Sequence, residues 1–267
     1  MQVATVVHAR SQPHPHPHSR SADVRPFRPP LHDVNTSCVT CKLRRICMPV
    51  DVSDPEVKPL FDSLVTQRVR LHKGDVLFRA GDRFVGLFAI RFGSCKTVTT
   101  TDDGSEQVSG YHLQGEMLGV EGFGNDTHVC TAIALEDTEV CVLPVERIEQ
   151  LAHEDTTFQR RMYQLLSAAI MRERTSTLMV GTMRAEQRLA AFLLDLSNRY
   201  QARGYSASEF VLRMTREEIG SHLGLKLETV SRLLSRFAEE GLVDVRGRVI
   251  RLLDRLALSQ LVATSLR

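Results

Sequence analysis

One stretch in the last third of the chain constrains the fold most, because it predicts two short helices and the turn between them. Thr215 and Glu218 have the T-x-x-E spacing of a capping box, in which each side chain bonds to the backbone of the other. Gly224 supplies a tight turn that other residues tolerate poorly. Residues 227–239 then predict a second helix. Together these signals predict a helix-turn-helix unit.

The second predicted helix has a buried face and an exposed face. Three apolar residues at i, i+4 and i+7 predict the buried face: Val230, Leu234 and Phe237. Glu228, Ser231 and Arg232 share the other face. Arginine can bond both guanine acceptors in the major groove, and glutamate can accept from the cytosine amino group. We therefore expect these three residues to read bases, and Lys226 and Arg236 to contact phosphates.

A small β-hairpin follows the second helix. Gly241 ends the helix, and two apolar segments, 243–245 and 249–253, flank Arg246 and Gly247. This pattern predicts a wing, so that residues 182–267 form a winged helix-turn-helix domain. These residues carry a net charge of +4, whereas residues 51–181 carry −7. A basic domain joined to an acidic one is typical of a multidomain protein that binds double-stranded DNA.

The acidic middle of the chain predicts a β-barrel. Between residues 69 and 145, glycines separate short segments rich in Val, Leu, Phe, Ile and Thr. Asp103 and Gly104 form a hairpin signal between residues 97–101 and 107–112. Many short strands at this spacing predict a sandwich or jelly-roll barrel over residues 51–154.

A long amphipathic helix is predicted over residues 155–181. Its apolar stripe is narrow and is interrupted by charge, which favours a weak two-helix seam between two subunits. The alternative is a single helix packed on its own barrel. The residues expected at the dimer seam are Met162, Leu166, Ala169, Ile170 and Glu173.

Three cysteines occur within ten residues near the start of the chain, as Cys38-x2-Cys41-x5-Cys47, and Cys141 lies far downstream. No apolar run is long enough to insert into a membrane or to form a secretion signal, so we expect a cytoplasmic protein with reduced thiols. The cluster over residues 35–50 therefore predicts a metal site, and iron–sulfur and zinc both suit thiolate ligands. Residues 1–34 are rich in Pro, His, Arg and Ser and are predicted to be disordered.

The residues of the helix-turn-helix unit closely resemble those of the CRP/FNR family of bacterial transcription regulators. The resemblance is carried by residues 214–220 (MTREEIG), 224–234 (GLKLETVSRLL) and 188–192 (RLAAF), and it extends over roughly residues 35–265. Within that family the chain is similar to the oxygen-sensing FNR branch. The resemblance implies an α+β fold with a cyclic-nucleotide-binding-like β jelly-roll barrel, a long dimerisation helix and a C-terminal winged helix-turn-helix domain.

The resemblance also implies a cofactor, an operator and partners. It implies a 4Fe-4S cluster on Cys38, Cys41, Cys47 and Cys141, with zinc or direct thiol redox chemistry at the same cysteines as the alternative. Cys130 is a possible rival for the fourth position. The implied function is anaerobic regulation by a homodimer that binds a TTGAT-N4-ATCAA-like site. The hairpin at residues 101–105 is implied to contact RNA polymerase. Lys226 departs from the Ser or Thr that the family uses as a helix cap.

Two other functions are disfavoured. A cyclic nucleotide would need an Arg-Ser pair after the Gly115-Glu116 turn, and this chain has His128 and Val129 at the matching positions. The cyclic phosphate would therefore lack its bidentate partner, and we expect no cyclic nucleotide. The chain offers no paired carboxylate, Ser-His-Asp or phosphate-loop signature at usable spacing, so we expect no enzyme activity.

Overall fold

The computed structural model describes residues 31–32, 41, 64–101 and 104–263, with the backbone alone for residues 31–32. Among these residues, nine strands build the N-terminal β-structure: β1 (Leu31–His32), β2 (Gln67–Leu71), β3 (Val76–Phe78), β4 (Gly86–Phe92), β5 (Ser94–Thr100), β6 (Glu106–Leu113), β7 (Met117–Leu118), β8 (Thr131–Ala134) and β9 (Thr138–Pro144). They form a five-stranded sheet, β1-β2-β9-β4-β7, and a four-stranded sheet, β3-β8-β5-β6.

The two sheets enclose one apolar cluster, to which both contribute alternate residues of their strands. Phe88, Ile90 and Val140 come from the first sheet, and Phe78 and Ala132 from the second. The predicted hairpin joins β5 to β6, and Gly104 within it has a φ of 82°. A left-handed backbone at this position explains why a glycine occurs there. The predicted jelly-roll barrel is confirmed.

Strand β1 lies within the segment that was predicted to be disordered. Leu31 pairs with Val69 and His32 pairs with Arg68, both antiparallel, at the edge of the five-stranded sheet. Strand pairing uses backbone groups, which composition does not reveal, and the edge of a sheet offers such groups to a further strand. For these two residues the disorder prediction is wrong; residues 1–30 and 33–34 lie outside the described residues.

Two helices follow the barrel: α1 (Val145–Glu154) and α2 (Thr156–Thr182). Asp155 separates them, and its carboxylate accepts hydrogen bonds from the backbone N–H groups of Thr157 and Phe158 at the start of α2. The predicted long helix thus begins and ends within one residue of its expected bounds. Within the described part of the chain, no helix has the length and apolar character needed to span a bilayer.

The C-terminal unit, as far as residue 263, contains four helices and three strands: α3 (Ala185–Ala202), β10 (Glu209–Val211), α4 (Arg216–Leu223), α5 (Leu227–Glu239), β11 (Val243–Arg246), β12 (Val249–Leu252) and α6 (Arg255–Ala263). The strand order is β10-β12-β11. The predicted wing is confirmed as the β11–β12 hairpin. Strand β10 was not predicted because three residues are too few to show a period.

The barrel and the C-terminal unit share a hydrophobic cluster. Val98, Val108 and Tyr111 on the outer face of the four-stranded sheet belong to the same buried cluster as the core of helices α3 to α5. Leu189 and Phe237 are among the helical members and have no exposed surface. The C-terminal unit is therefore packed against its own barrel through apolar surface.

Candidate nucleic-acid interface and cysteine site

The helix-turn-helix forms as its residues predict. Thr215 Oγ1 accepts a hydrogen bond from the N–H of Glu218 at 3.1 Å, and Glu218 Oε2 accepts one from the N–H of Thr215 at 2.6 Å. Gly224 ends α4 with φ 63° and ψ 40°, and the N–H of Leu225 donates to the carbonyl of Gly220 at 2.8 Å. This is the capping box and left-handed turn that a helix-turn-helix needs.

Helix α5 presents most of the expected reading residues to solvent. Its apolar face is buried, with Val230 and Phe237 at 0% exposure. Glu228 and Arg232 are exposed, and Ser231 is half-buried. Lys226 is the exposed N-cap and makes no side-chain capping bond, as its departure from Ser or Thr predicts. An exposed helix start with these side chains matches the geometry that reads a major groove.

Arg236 has contacts within its own domain. Its guanidinium hydrogen-bonds to Glu186 of α3 and forms an ion pair with Glu240 at 3.3 Å. In the wing, Arg246 pairs with Asp244 at 3.0 Å. The predicted role of Arg236 as a phosphate contact therefore competes with a structural one.

The residues predicted for the dimer seam fall on two faces of α2. Met162 is 6% exposed and belongs to a core cluster of its own barrel with Phe158. Leu166 and Ala169 line a cavity between α2 and the barrel. Ile170 is 67% exposed. The apolar stripe predicted from the sequence therefore combines two rows of residues, one that faces the barrel and one that faces solvent. Met162 belongs to the first row, so it cannot contact a second subunit in this arrangement.

The solvent-facing row contains apolar residues that the sequence pattern did not single out. Tyr163, Met171 and Leu178 are each more than half exposed, like Ile170. At about 100° per residue, these four side chains lie within one sector of roughly 100° on α2. Exposed apolar rows of this kind on a long helix mark a surface for another helix.

Cys141 lies on β9 in the middle of the five-stranded sheet. It is opposite Arg68 on β2 and Ala89 on β4. Burial raises the pKa of its thiol, and the charge of Arg68 lowers it in part. Cys41 and Cys141 are both half-buried. Cys38 and Cys47 lie outside the described residues.

These surroundings fit a thiolate-bound cofactor. Arg68 and Arg91 both act on Cys141 as cations, which offsets the negative charge that thiolates bring. Strand β1, which precedes Cys41 in the chain, joins the same five-stranded sheet as β9, the strand that carries Cys141. The described residues contain no group of three or more His, Cys, Asp or Glu placed to hold a metal, and the other two cysteines lie outside them.

Cys130, the rival fourth ligand, has different neighbours. Its thiol donates to Glu121 Oε1 at 3.4 Å. Burial first, and then the charges of Glu121 and Glu173, raise its pKa well above the ordinary value. Burial raises the pKa of both thiols, but carboxylates raise that of Cys130 further, whereas Arg68 and Arg91 lower that of Cys141 in part. This difference favours Cys141 over Cys130 as the thiolate ligand.

A cavity of about 780 Å³ lies between the barrel and α2, beside the position where a cyclic phosphate would need its Arg-Ser pair. His128 at that position is buried, stacks on Phe78 with ring centroids 3.7 Å apart, and has its Nδ1 3.2 Å from Glu121 Oε1. Val129 is 49% exposed. Neither His128 nor Val129 has a guanidinium that could bind a phosphate here. Arg172 of α2 supplies positive charge at another part of the cavity wall.

Several functional residues were not found from the sequence. Arg68 and Arg91 were missed because their nearness to Cys141 follows from strand pairing. Glu116, Arg199 and Arg203 were missed because they meet only when the barrel and the C-terminal unit dock. One feature of the sequence could have indicated this contact: Arg199 and Arg203 are four residues apart on a helix, so both lie on one face of it.

Comparison with known proteins agrees with this geometry. Residues 68–155 match the cyclic nucleotide-binding domain, and residues 187–261 match the Crp-like helix-turn-helix domain. The chain is 46% identical over 235 residues to the transcriptional regulatory protein btr of Bordetella pertussis, covering 88% of this chain and 97% of that one. It is 38% identical over 224 residues to the fumarate and nitrate reduction regulatory protein of Escherichia coli K12, covering 84% and 89%.

A third relative and a solved structure extend the comparison. The transcriptional activator protein anr of Pseudomonas aeruginosa is 39% identical over 229 residues, covering 86% of this chain and 93% of that one. The structure of FixK2 from Bradyrhizobium japonicum is similar with a TM-score of 0.68 and 28% identity, covering 73% of this chain and 96% of that one.

Proposed function

The chain belongs to the CRP/FNR family of transcription regulators, and from this premise we propose that it is an oxygen-responsive regulator carrying a 4Fe-4S cluster on Cys38, Cys41, Cys47 and Cys141. The observation that carries the proposal is the position of Cys141 on β9, opposite Arg68 and in the sheet that the N-terminal strand β1 joins. The protein acts in the cytoplasm, where thiols stay reduced.

The cysteines and arginines hold the cofactor. Cys41 and Cys141 provide two of four thiolates, and the arm that contains Cys38 and Cys47 provides the others. Arg68, opposite Cys141 in the sheet, would offset the charge of its thiolate. When bound, the cluster would supply the oxygen-reactive iron centre implied by resemblance to the FNR branch.

The dimer forms along the exposed row of α2. Tyr163, Ile170, Met171 and Leu178 supply the apolar contact, and Leu166 and Ala169 flank it on the cavity side. Glu173, which interrupts the apolar stripe, lines the cavity between α2 and the barrel together with Glu121 and Arg172. A charged residue at this position adds no apolar contact to the seam. The seam is therefore marginal and responds to small changes in the barrel.

The dimer places two copies of α5 on a two-fold DNA site of the TTGAT-N4-ATCAA type. Glu228 and Arg232 read base edges, Ser231 assists, and Lys226 contacts phosphate. Arg236 orients the reading helix through Glu186 when it does not contact phosphate. The hairpin at residues 101–105 contacts RNA polymerase, which makes the protein an activator at suitable promoters.

Iron and acid-labile sulfide test the cofactor. Protein purified without air is expected to be brown, to contain both elements and to bind the two-fold site, and to lose colour and binding after exposure to air. Cys141→Ala is expected to abolish the colour and the anaerobic binding. Cys130→Ala is the matched control and is expected to retain both. Retention of iron by Cys141→Ala would contradict the proposal.

Zinc on the same four cysteines is the second candidate, because cysteine thiolates suit zinc as well as iron–sulfur. The same preparation separates the two. A colourless protein with one zinc per chain, and DNA binding that air does not change, would select zinc and exclude oxygen sensing by a cluster.

A further inference from the structure

We propose that Glu116 of the barrel is a positioning residue for DNA recognition, acting through Arg199 and Arg203 of helix α3. The three side chains form an interdomain clamp that sets the orientation of the helix-turn-helix on its own barrel. The inference rests on the proposed function in one respect, because it concerns how a dimer spaces its two copies of α5 on a two-fold site.

The clamp is a set of short charged hydrogen bonds. Arg199 donates from Nε to Glu116 Oε1 at 3.0 Å and from Nη2 to Oε2 at 2.6 Å. Arg203 donates from Nη2 to Glu116 Oε1 at 2.5 Å. Both carboxylate oxygens of one barrel residue are thus held by two guanidinium groups, one turn apart on the same helix. A bidentate arrangement of this kind fixes direction as well as distance.

The same arginines also bind the barrel backbone. Arg199 Nη2 donates to the carbonyl of Tyr111 at 2.6 Å, and Arg203 Nε donates to the carbonyl of Gln114 at 2.5 Å. The Glu116 carboxylate is itself fixed, since the N–H of Leu113 donates to its Oε2 at 3.2 Å. The clamp therefore joins α3 to the turn between β6 and β7 at several points.

The clamp lies out of water. The side chains of Glu116 and Arg203 are 8% and 4% exposed, and that of Arg199 is 18% exposed. Burial alone would raise the pKa of Glu116, but the two arginines outweigh it and lower the pKa to about 2. A carboxylate that stays charged in such surroundings is strongly tied to its partners. Neutralising it would leave the buried Arg203 without this counter-charge, and Arg199 with only the exposed Asp195.

A second group of contacts reaches the helix-turn-helix itself. The N–H of Val108 on β6 donates to Ser221 Oγ of α4 at 2.9 Å, and His222 Nδ1 lies 3.3 Å from the carbonyl of Val108. Lys96 Nζ lies 2.6 Å from Glu218 Oε1. Helix α4 is thus attached to strands β5 and β6 directly, and α5 follows α4 through the fixed turn at Gly224.

These contacts determine what moves when the protein binds DNA. With α3 and α4 both held by the barrel, the orientation of α5 follows that of the barrel. The distance between the two reading helices in a dimer then depends on how the barrels are paired along α2. A change in the dimer seam therefore reaches the DNA by movement of whole subunits.

The position of Glu116 has a consequence for the cavity as well. Glu116 follows Gly115, whose φ is 86°, and its carboxylate points to α3, away from the space beneath α2. Glu116 therefore holds the DNA-reading unit and does not line the cavity beneath α2.

The experiment compares Glu116→Gln with Asp195→Asn. Asp195 also binds Arg199, at 3.1 Å, but it lies on α3 itself and is 59% exposed. Its replacement therefore removes a carboxylate partner of Arg199 but no contact between α3 and the barrel. Binding is measured on the two-fold site and on versions with one base pair added or removed between the half-sites. Hydrogen exchange of a peptide covering β6 reports whether the N–H of Val108 stays protected.

The wild type and Asp195→Asn are expected to discriminate against altered spacing by roughly tenfold or more, as coupled sites do. Glu116→Gln is expected to discriminate by less than about threefold, because α3 is no longer held and the contacts of α4 alone fix the reading helices less firmly. Its β6 peptide is expected to exchange faster than in Asp195→Asn. The inference would be overturned if Glu116→Gln bound all spacings more weakly by the same factor, or if hydrogen exchange at β6 were unchanged in it. Equal behaviour of Glu116→Gln and Asp195→Asn would overturn it as well.

Two further outcomes are distinguishable. If Glu116→Gln does not fold, Arg203→Gln replaces it, since Arg203 donates to Glu116 Oε1 at 2.5 Å from the other side of the interface; unchanged discrimination and exchange there would refute the clamp. If the wild type does not bind the two-fold site at all, the proposed function fails. The exchange comparison still decides whether Glu116 holds the two units together.

Discussion

Lys96 on strand β5 lies 2.6 Å from Glu218, the residue that completes the capping box of helix α4. One carboxylate therefore bonds to the start of its own helix and to the barrel at the same time. Burial would raise the pKa of Glu218, but Lys96 and the N–H of Thr215 lower it, so the carboxylate stays charged. The helix start and the domain contact are stabilised together, and we expect damage to one to affect the other.

Replacement of Gly220 by alanine is expected to destabilise the helix-turn-helix. A Cβ at this position would lie 2.6 Å from the backbone carbonyl oxygen of Leu225, which cannot move without opening the turn. Overpacking of this kind costs about 1–3 kcal/mol. Gly181→Ala is the control, because no atom lies within 4 Å of its Cβ position, and a gain of up to about 1 kcal/mol is expected. Chemical denaturation measures both; equal effects would contradict the packing argument.

Ile170→Glu is expected to abolish dimerisation. Burial of an isoleucine side chain contributes about 1.5–3 kcal/mol, so two replaced side chains weaken the dimer by at least about a hundredfold. Ala168→Glu is the control, since Ala168 is exposed and lies about 160° around the helix from Ile170. Sedimentation of air-free protein measures the subunit equilibrium. A dimer that survives Ile170→Glu would place the seam elsewhere.

Arg232→Ala and Lys226→Ala are expected to weaken DNA binding in different ways. Loss of Arg232 should cost about 1–3 kcal/mol on the matching site and relax the preference for one base pair. Loss of Lys226 should weaken all sequences alike and reduce the slope of log affinity against log salt by about 1. Titrations on matched and mismatched sites at several salt concentrations separate the two roles. A changed base preference in Lys226→Ala would contradict them.

The stability of the protein is expected to fall between pH 6.5 and pH 4 because of His112. Burial lowers the pKa of this histidine to about 4, while the charges of Glu116 and Arg199 act in opposite directions. The unfolded chain takes up a proton near pH 6.5 and the folded one only near pH 4, so the stabilisation is complete above 6.5 and is lost as the pH falls through this window.

His112→Gln is expected to flatten this part of the stability curve, by up to about 3 kcal/mol over the window. His222 is also buried with a lowered pKa, so some slope should remain. His72→Gln is the control, since that ring is exposed. Denaturation midpoints at several pH values measure the effect; identical slopes for His112→Gln and the wild type would contradict it.

Local signals predicted the reading unit well. The capping box at Thr215, the turn at Gly224 and the helix Leu227–Glu239 all depend on neighbours within a few residues, and each is confirmed. The winged helix-turn-helix and the barrel were likewise predictable, because glycine turns and short apolar runs recur along the chain. Such features follow from local backbone preferences.

Tertiary relationships were not predictable in the same way. Met162 and Ile170 are both apolar residues of one helix, yet the first is buried in the barrel and the second is exposed. Periodicity showed a stripe but not which part of it the barrel covers. The clamp at Glu116 needs residues more than eighty positions apart, and the arginine beside Cys141 depends on the register of β2 and β9.

Strand β1 bears on how the proposed cluster would be rebuilt after it is lost. Leu31 and His32 pair with β2 through backbone groups, which need no cofactor, and β2 is the immediate neighbour of the strand that carries Cys141. A tether of this kind would keep the N-terminal thiols of the proposed site at a high effective concentration around Cys141. Reassembly of the proposed centre would then be an intramolecular event instead of a search through solution.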